Sequence, residues 1–418
     1  MTDGFRPFSE IIDDTAPLAS WYYGICDWVF GRSYTARHVV TLIILFLQSC
    51  FWGIMLINRK VFTENTFVPS LIFSLLTLGA FDLLTLHADV AAFGFSLLML
   101  NSIYKEIEFG GQRDETILNL GIFVGIASML NFSFIVYLPG SAIILLMFTT
   151  NRLRAYLLLV FGTLLPHFVL CSYYFANDAF AQLWHSFYGR WLVANPTSWV
   201  DSTSLLILSA IPLFYLLISF LTLIREARFT KYQSQILRAT YLWFVISIIG
   251  IWLTPDRRPQ SLIVLIPSAS FVMSQYLLMI RRVRYANFNT WMILLGVIAI
   301  ASLARYGYIP QVNYEGFLLT AKEDNLKAKR VLDLDNDFTV YYDNTLSPPF
   351  VDHEMTRAIL NEPDYYETVL LVDKLFREDP PEVILDKDHI IEPYFERIPY
   401  LGDQYTRTDD GYLRKPSN

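Results

Sequence analysis

The sequence predicts an all-α polytopic membrane bundle of about ten transmembrane helices, followed by a small α/β C-terminal domain outside the cytoplasm. About ten apolar stretches alternate with short polar loops between residues 39 and 303. Hydrophobic residues make up 54% of the chain, which suits a membrane protein better than a soluble enzyme. The segment from Tyr306 onward has no comparable apolar stretch and is acidic.

Seven of the apolar stretches are clear and three are shorter or interrupted. The clear ones are Val39–Ile57, Phe67–Leu86, Ala155–Tyr174, Ser204–Ile224, Ile236–Leu253, Leu262–Ile280 and Thr290–Leu303, and the others are Val90–Ile103, Ile117–Leu130 and Val136–Thr149. Most are long enough, at about 1.5 Å per helical residue, to cross a hydrocarbon core of about 30 Å. Thr290–Leu303 needs flanking residues to do so. Because backbone amides in lipid must be paired within their own segment, all ten are predicted to be helices.

Charge divides the chain into three predicted regions. From Tyr306 onward there are 12 Lys and Arg against 23 Asp and Glu, a balance of −11, so the total of −7 leaves +4 for the rest. We predict an extracytoplasmic loop with an interfacial helix at residues 1–37, the bundle at 38–305 and a soluble acidic α/β domain at 306–418. The acidic sign of this domain argues against nucleic acid as a partner.

Strand-like and helical patterns predict the α/β class of the acidic domain. Phe338–Tyr342 and Glu382–Asp386 have strand composition. Asp364–Arg377 has helical spacing and is followed by two prolines. No nucleotide-binding loop or catalytic triad is evident there, which indicates a recognition or packing module.

The positive-inside rule gives an orientation. One alternating set of loops contains Arg59, Lys60, Lys105, Arg113, Arg152, Arg154, Arg225, Arg228, Lys231, Arg281, Arg282 and Arg284. We predict that this set is cytoplasmic, in a multi-pass protein of the cytoplasmic (inner) membrane with both termini outside. Residues 1–37 would then either cross without a leader or follow a segment of a longer gene product, in which Met1 is internal.

An acidic cluster in the N-terminal segment is the first candidate for chemistry. Glu10, Asp13 and Asp14 precede an amphipathic stretch at the predicted membrane surface. Carboxylates there can act as a general base or hold a metal. The alternative is a helix start, with Asp14 or Thr15 as the N-cap and Pro17 in the first turn.

Two further clusters lie on the predicted outer face. His87 and Asp89 fall at a helix turn, and Asp82 lies deeper, where a carboxylate usually marks a polar cavity or a paired site. For His87 and Asp89 the alternative is an ordinary extracytoplasmic loop, and for Asp82 it is a structural hydrogen bond within the bundle. Arg257 and Arg258 present two adjacent planar guanidinium groups suited to phosphate or pyrophosphate; headgroup anchoring is the alternative.

Cysteine and metal chemistry receive little support. Cys26, Cys50 and Cys171 form neither a disulfide framework nor a zinc pattern. No metal site is predicted, and the need for a divalent metal is left open.

Taken in order, these pieces resemble the GT-C superfamily of integral membrane glycosyltransferases, which includes protein mannosyltransferases and aminoarabinose transferases. The resemblance is carried by 13–21, Asp27–Ser33 with Ala36-Arg37, the His87-Ala-Asp89 corner, Gly121–Leu130 and Arg257–Pro267, followed by a soluble C-terminal module. The family pattern also has a helix before the first loop and a catalytic acidic residue early in that loop. This sequence begins at or beyond that point, so Glu10, Asp13 and Asp14 are the nearest substitutes.

The resemblance implies inverting transfer of a sugar from a polyprenyl-phosphate donor, at the extracytoplasmic face, to a protein, lipid or polysaccharide. A carboxylate would activate the acceptor hydroxyl and Arg groups would hold the departing phosphate. Membrane lipid and an acceptor of unknown identity are the other expected partners. One alternative is a non-catalytic structural or assembly subunit with envelope protein partners. A transporter is the third hypothesis, and the sequence shows no internal repeat that favours it.

Overall fold

The computed structural model describes residues 15–31, 33–79, 85–110, 113–149, 153–189, 191, 197–198, 202–226, 229–254, 256–257, 259–312, 330–335, 340, 344–347, 353–361, 363–408 and 411–415. The chain divides into two compact units. The first unit contains Ala16–Ala176 and Trp191–Gly316, and the second contains residues 177–189 with the described part of the C-terminal segment. The predicted boundaries at residues 37 and 305 stay a prediction.

Each of the ten predicted apolar stretches is helical over most of its described residues. The first unit consists of α1 (Pro17–Phe30), α2 (Tyr34–Asn58), α3 (Val68–Gly79), α4 (Ala88–Phe109), α5 (Asp114–Leu130), a 3₁₀ segment (Phe132–Val136), α6 (Tyr137–Phe148), α7 (Leu153–Ala176), then the helices Ser202–Leu208, Ala210–Glu226 and Lys231–Leu253, a 3₁₀ segment (Pro259–Leu265), and the helices Ile266–Met279 and Val283–Arg305. The two-residue strands β1 (Thr197–Ser198) and β2 (Asp256–Arg257) pair in parallel. The predicted membrane bundle is therefore confirmed as a fold.

In the part of the chain that the structure describes, five helices are long and apolar enough to cross a membrane. They are Tyr34–Asn58, Leu153–Ala176, Lys231–Leu253, Gln260–Met279 and Val283–Arg305, and a bent pair formed by Ser202–Leu208 and Ala210–Ile224 makes a sixth. Val283–Arg305 supplies the flanking residues that Thr290–Leu303 was predicted to need. The bend of 65° lies inside a stretch predicted to be one helix. Pro212 accounts for it, because proline has no N–H to donate to the carbonyl of Leu208.

Close backbone contact holds α5 against α7. A Cβ atom added to Gly162 would lie 2.5 Å from the Leu118 carbonyl oxygen, and one added to Gly125 would lie 2.5 Å from the Thr163 oxygen. Gly121 faces the Leu159 carbonyl equally closely. Small residues four apart allow two helices to approach in this way in a membrane, where lipid gives no hydrophobic drive for helix association.

Buried polar pairs join the other helices. The indole of Trp52 donates to Ser270 at 3.0 Å, Tyr104 pairs with Thr240 at 2.6 Å, and Tyr137 pairs with Ser247 at 2.9 Å. Each hydroxyl is thereby satisfied away from water, as apolar surroundings require.

Polar contacts show which end of the bundle carries the basic loops. Arg59, just after α2, forms an ion pair with Glu108 near the end of α4 at 2.8 Å. The Tyr232 hydroxyl, at the start of Lys231–Leu253, donates to the Arg59 carbonyl oxygen at 3.0 Å. His87 and Asp89 lie at the opposite end of α4, about 30 Å away at 1.5 Å per residue. The two predicted sets of loops thus lie at opposite ends of the same helix.

The second unit contains a five-stranded sheet of order β4-β3-β5-β7-β6. The strands are β3 (Arg330–Asp333), β4 (Thr345–Leu346), β5 (Val383–Leu385), β6 (Tyr405–Thr408) and β7 (Gly411–Arg414), with helices His353–Leu360, Tyr366–Glu378, Glu392–Arg397 and Pro399–Gly402 and, earlier in the chain, Phe180–Leu183 and the π-helix Trp184–Gly189. β3 is parallel to β4 and β5, and β7 is antiparallel to β5 and β6. The mixed sheet with helices confirms the predicted α/β class.

Two of the three predicted elements of this unit are found. The strand at Glu382–Asp386 appears as β5, and the helix at Asp364–Arg377 appears as Tyr366–Glu378. Of Phe338–Tyr342 only Val340 is described, and it lies in a helical turn. The buried core of the unit contains Leu332, Val372, Phe376, Ile384 and Tyr394.

Candidate functional site

Asp89 is the buried carboxylate of the candidate site. It lies in the first turn of α4 and is 4% exposed. His87 is the N-cap of this helix, and its Nδ1 atom lies 3.2 Å from both the Asp89 backbone nitrogen and Asp89 Oδ2. The position at a helix N-terminus stabilises a negative charge, because the peptide dipoles point their positive ends toward it. The structure therefore brings these two predicted residues into direct contact.

Asn131 holds the same carboxylate from another helix. Its side-chain Nδ2 donates to Asp89 Oδ1 at 2.6 Å, while its Oδ1 accepts from the Ser133 backbone N–H at 3.0 Å. It thereby caps the 3₁₀ segment Phe132–Val136 and ties this segment to α4. The sequence did not identify Asn131 as a site residue. Its only signal was the polar break between two apolar stretches.

Tyr23 brings the amphipathic helix α1 to the site. Its hydroxyl accepts from the Ala88 backbone N–H at 2.9 Å, and its ring meets the His87 ring edge-on at 6.1 Å. The turn after α1 is fixed by Arg37, whose Nη2 donates to Asp27 Oδ1 at 2.8 Å and to the Gly31 carbonyl at 2.7 Å. Gly31 has a φ of 54°, a conformation that favours glycine.

The opposite face of α1 is apolar and exposed. It presents Trp21, Ile25, Trp28 and Val29, which are each at least half exposed. Residues spaced by three, four and seven lie on one side of a helix, so these side chains form one stripe. Aromatic and aliphatic side chains on one face are typical of a helix that lies in the membrane interface.

Asp89 and Asn131 line a polar cleft at the end of the bundle opposite Arg59. The cleft has a cavity volume of about 20 Å³, and its polar lining also includes Ser133, Tyr137, Ser247, Thr254 and Ser261. Hydroxyl, amide and carboxylate groups in one cleft can bind a ligand rich in hydroxyl groups. The cleft is the place where the described residues offer such chemistry.

An apolar groove begins on the other side of the 3₁₀ segment Pro259–Leu265. Ser261, Ile263 and Val264 of this segment line the polar cleft, whereas Leu262 and Leu265 line the groove. The groove has a cavity volume of about 140 Å³ and runs along the bent helix pair, with Leu205, Leu208, Pro212 and Phe244 in its walls. We call it the cleft-side groove. One short segment thus separates a polar cavity from an apolar one.

Arg257 has a fixed position but makes no described contact with the cleft. It lies on β2, where its Nη2 donates to the Trp252 carbonyl at 2.9 Å. Its Nε is buried and meets no hydrogen-bond partner within the described part of the chain. Thr254, three residues earlier, lines the cleft. Arg258 lies outside the described residues.

The acidic residues predicted to act as base lie outside the described residues, namely Glu10, Asp13 and Asp14, and so does Asp82. Their roles stay predictions. Among the described residues, no group of three or more His, Cys, Asp and Glu side chains is arranged to hold a metal ion.

Comparison with known proteins identifies the fold. No protein-family model matches the chain, and no curated protein matches it. The crystal structure of ArnT from Cupriavidus metallidurans bound to undecaprenyl phosphate resembles it with a TM-score of 0.52 and 12% sequence identity, over 97% of this chain and 87% of that chain. ArnT is a GT-C aminoarabinose transferase. The predicted GT-C resemblance is therefore confirmed for the fold of a multi-pass membrane protein.

Proposed function

We propose that this protein is a membrane glycosyltransferase that uses a polyprenyl-phosphate-linked sugar at the extracytoplasmic face of the cytoplasmic membrane. The observation that carries the proposal is the adjacency of the polar cleft and the cleft-side groove, separated by residues 259–265 in a GT-C fold. Such a donor has a polar sugar phosphate joined to a long hydrocarbon. A fold by itself does not fix an activity, so the proposal depends on this pair of cavities.

The two ends of the donor would occupy different surroundings. The isoprenoid chain would lie in the cleft-side groove, where burial of apolar surface favours it. The phosphate would be held by Arg257 and Arg258, because guanidinium groups donate paired hydrogen bonds to phosphate oxygens. The undecaprenyl phosphate bound to ArnT supports this ligand class.

His87 and Asp89 would bind the sugar. A buried carboxylate accepts hydrogen bonds from hydroxyl groups, and bonds to a charged acceptor are the stronger kind. Asn131 and His87 fix the orientation of the Asp89 carboxylate before a ligand arrives. This preorganisation lowers the cost of ordering the site on binding.

The proposed reaction is an inverting displacement. The oxygen of the acceptor hydroxyl forms a bond to the anomeric carbon, and Glu10, Asp13 or Asp14 accepts the proton of that hydroxyl. The bond between that carbon and the phosphate oxygen breaks, and the electron pair leaves with the polyprenyl phosphate. Arg257 and Arg258 stabilise the charge that develops on this leaving group.

A non-catalytic structural subunit is the second candidate. It is favoured by one observation: both carboxylate oxygens of Asp89 already have close partners in Asn131 and His87. In that case the cluster would stabilise the bundle and would bind no sugar.

Two measurements test the proposed function. Transfer from radiolabelled undecaprenyl-phosphate sugars should fall by about 10²–10⁴-fold in one of the variants Asp13→Asn, Asp14→Asn and Glu10→Gln, since a general base contributes about that much. Normal transfer in all three would remove the proposed base, and absence of transfer in the wild-type protein would favour the structural role.

Binding of undecaprenyl phosphate isolates the second half of the proposal. The double variant Arg257→Ala with Arg258→Ala should bind it at least about tenfold more weakly, because charged hydrogen bonds are lost. Arg305→Ala is the matched control, since Arg305 is an exposed arginine of the last helical turn of Val283–Arg305. Equal binding by the double variant and the control would return the pair to headgroup anchoring.

A further inference from the structure

A second apolar groove adjoins the cleft-side groove within the first unit. It has a cavity volume of about 580 Å³, and almost its whole surface is apolar. Its walls are formed by α6 and three later helices, and they include Phe148, Leu217, Phe220, Val245 and Val272. We call it the distal groove.

The helix directions place the distal groove in the half of the bundle nearer the basic end. Phe220 lies six residues before Glu226, which is about 9 Å along a helix, and Val272 lies seven residues before Met279, which is about 10 Å. Phe148 is itself the last residue of α6. Each of these helices runs from the cleft end toward the basic end. These walls therefore lie within about 15 Å of the basic end, which is half of a hydrocarbon core of about 30 Å.

The polar groups of the lining offer the distal groove little to bind. The hydroxyl oxygens of Tyr241 and Ser268 are buried and have essentially no surface open to a ligand. Arg238 lies about 10 Å along its helix from Lys231, and helical side chains tilt toward the helix N-terminus, so its guanidinium is directed toward the basic end. The occupant that fits these walls is a hydrocarbon segment, because a polar group placed there would lose its hydrogen bonds to water.

The two apolar grooves form one continuous path. Leu213, Leu216 and Phe244 line both of them. Helix Ala210–Glu226 runs along the path, and its lining residues have the spacing of a single helix face: Pro212, Leu213, Leu216, Leu217 and Phe220. This stripe begins in the cleft-side groove and ends in the distal groove. An apolar path thus leads from the segment 259–265, beside the polar cleft, into the half of the bundle nearer the basic end.

The sizes of the grooves and the depth of the path indicate a long chain. The cleft-side groove, at about 140 Å³, is smaller than the usual range of about 300–1,000 Å³ for small-molecule pockets, whereas the distal groove lies within that range. The chains of one leaflet span about 15 Å, half of the hydrocarbon core. A chain that starts at the cleft end and fills the distal groove must therefore be longer than the chains of one leaflet.

We propose that the distal groove holds the far isoprene units of the donor's polyprenyl chain and thereby selects a long chain over a short one. The inference rests on the proposed function, which places the phosphate at the cleft end. The first units lie in the cleft-side groove, and the following units pass Phe244 into the distal groove. Affinity then rises with chain length, because each further unit buries more apolar surface.

Binding of two polyprenyl phosphates to the delipidated full-length protein in detergent tests the proposal. Undecaprenyl phosphate has a long chain, and farnesyl phosphate has a short chain of the same chemistry. Leu217→Trp fills part of the distal groove and leaves the described lining of the cleft-side groove unchanged. It should weaken binding of undecaprenyl phosphate about fivefold to tenfold and leave binding of farnesyl phosphate unchanged. Leu221→Trp is the matched control, since this exposed leucine of the same helix is not among the described lining residues of either groove, and it should alter neither affinity.

The outcomes distinguish the inference from the proposed function. A wild-type protein that binds neither polyprenyl phosphate would overturn both. If the wild-type protein binds them and Leu217→Trp behaves like Leu221→Trp, or weakens both lipids equally, the inference alone is overturned. Unchanged binding of farnesyl phosphate by Leu217→Trp shows that this variant is folded.

A second measurement needs no variant. Undecaprenyl phosphate with a photoreactive group at the end far from the phosphate should cross-link to residues 147–148 and 216–220 of the wild-type protein. Excess farnesyl phosphate should suppress these cross-links, because both lipids compete for the same phosphate site. Cross-links confined to the cleft-side groove would overturn the inference. So would labelling of the distal groove that farnesyl phosphate does not reduce, which would identify the groove as a surface for bulk lipid.

Discussion

Asn131 donates a hydrogen bond of 2.6 Å to the carboxylate of Asp89, across 42 residues of sequence. Asp89 begins α4, and Asn131 follows α5 and caps the 3₁₀ segment that leads into α6. A single amide therefore orients the buried carboxylate and fixes where three elements meet. The polar cleft is built around this contact.

Exchange of the two residues tests the contact. Asn131→Asp alone places two carboxylates side by side in a buried position and should destabilise the protein by about 1–3 kcal/mol or more. Asp89→Asn alone loses the charge at the α4 N-terminus and should cost less. The double exchange restores an amide facing a carboxylate and should recover part of the loss. Thermal unfolding in detergent measures all three, and strictly additive losses would show that the two side chains do not interact.

The sequence was sufficient for the parts of the fold that depend on local pattern. Ten apolar stretches became ten helical regions, and His87 with Asp89 became the cap and first turn of α4. The role of Asn131 was not predictable, because it depends on a contact between distant segments. Residues 261–265 line the polar cleft on one side and the cleft-side groove on the other. This arrangement was not predictable either, because it depends on how a 3₁₀ segment packs against its neighbours. The bend before Pro212 had a local signal that the apolar pattern outweighed.

The crossing of α5 and α7 should not accept even one methyl group. Gly125→Ala and Gly162→Ala each place a Cβ atom within 2.5 Å of a backbone oxygen and should destabilise the protein by about 1–3 kcal/mol through overpacking. Gly250→Ala makes the same substitution in a helix where no atom beyond the adjacent backbone of that helix lies within 4 Å of the new Cβ. This control should be neutral or slightly stabilising, because alanine has the higher helix propensity. Thermal unfolding measures all three variants. If the control lost as much stability as Gly125→Ala and Gly162→Ala, the packing argument would be contradicted.

Docking of α1 should depend on Arg37. The Arg37 guanidinium joins Asp27 and the Gly31 carbonyl, and Cys26 beside this pair is 8% exposed. Burial raises the pKa of the Cys26 thiol, while the positive charge of Arg37 lowers it. Reaction with a maleimide should therefore be slow near neutral pH, because both the thiolate fraction and the access are small.

Arg37→Ala should increase the rate at which Cys26 is labelled, since it releases the turn between α1 and α2 and exposes the thiol. This gain in access should exceed the loss of thiolate that follows from removing the positive charge of Arg37. The measurement requires a background with Cys50→Ser and Cys171→Ser, so that only Cys26 reacts. Arg305→Ala serves as the control for loss of an exposed arginine. An unchanged labelling rate in Arg37→Ala would show that the aromatic contacts of α1 are sufficient to dock it.

The stability of the second unit should depend on the buried carboxylate of Asp386. Asp386 follows β5 and accepts from the backbone N–H groups of Ile390 at 2.9 Å and Ile391 at 2.8 Å. Asp386→Ala leaves two amides without these partners and should cost about 2–4 kcal/mol, whereas the neighbouring exposed Asp388→Ala should cost less than about 1 kcal/mol. Hydrogen exchange of the Glu392–Arg397 segment in the full-length protein would show the difference. Equal protection in both variants would contradict this role of Asp386.

The orientation of the bundle in the membrane decides on which side the polar cleft and the C-terminal segment lie. Arg59, Glu108 and Tyr232 identify the end of the bundle at which the basic residues collect, and the polar cleft lies at the other end. Because positive loops stay in the cytoplasm, we expect the cleft and the C-terminal segment outside. In a cysteine-free background, Ser417→Cys should react with a membrane-impermeant maleimide in intact cells, and Lys231→Cys should react only after permeabilisation. The reverse pattern would place the cleft in the cytosol and remove the basis for transfer at the outer surface.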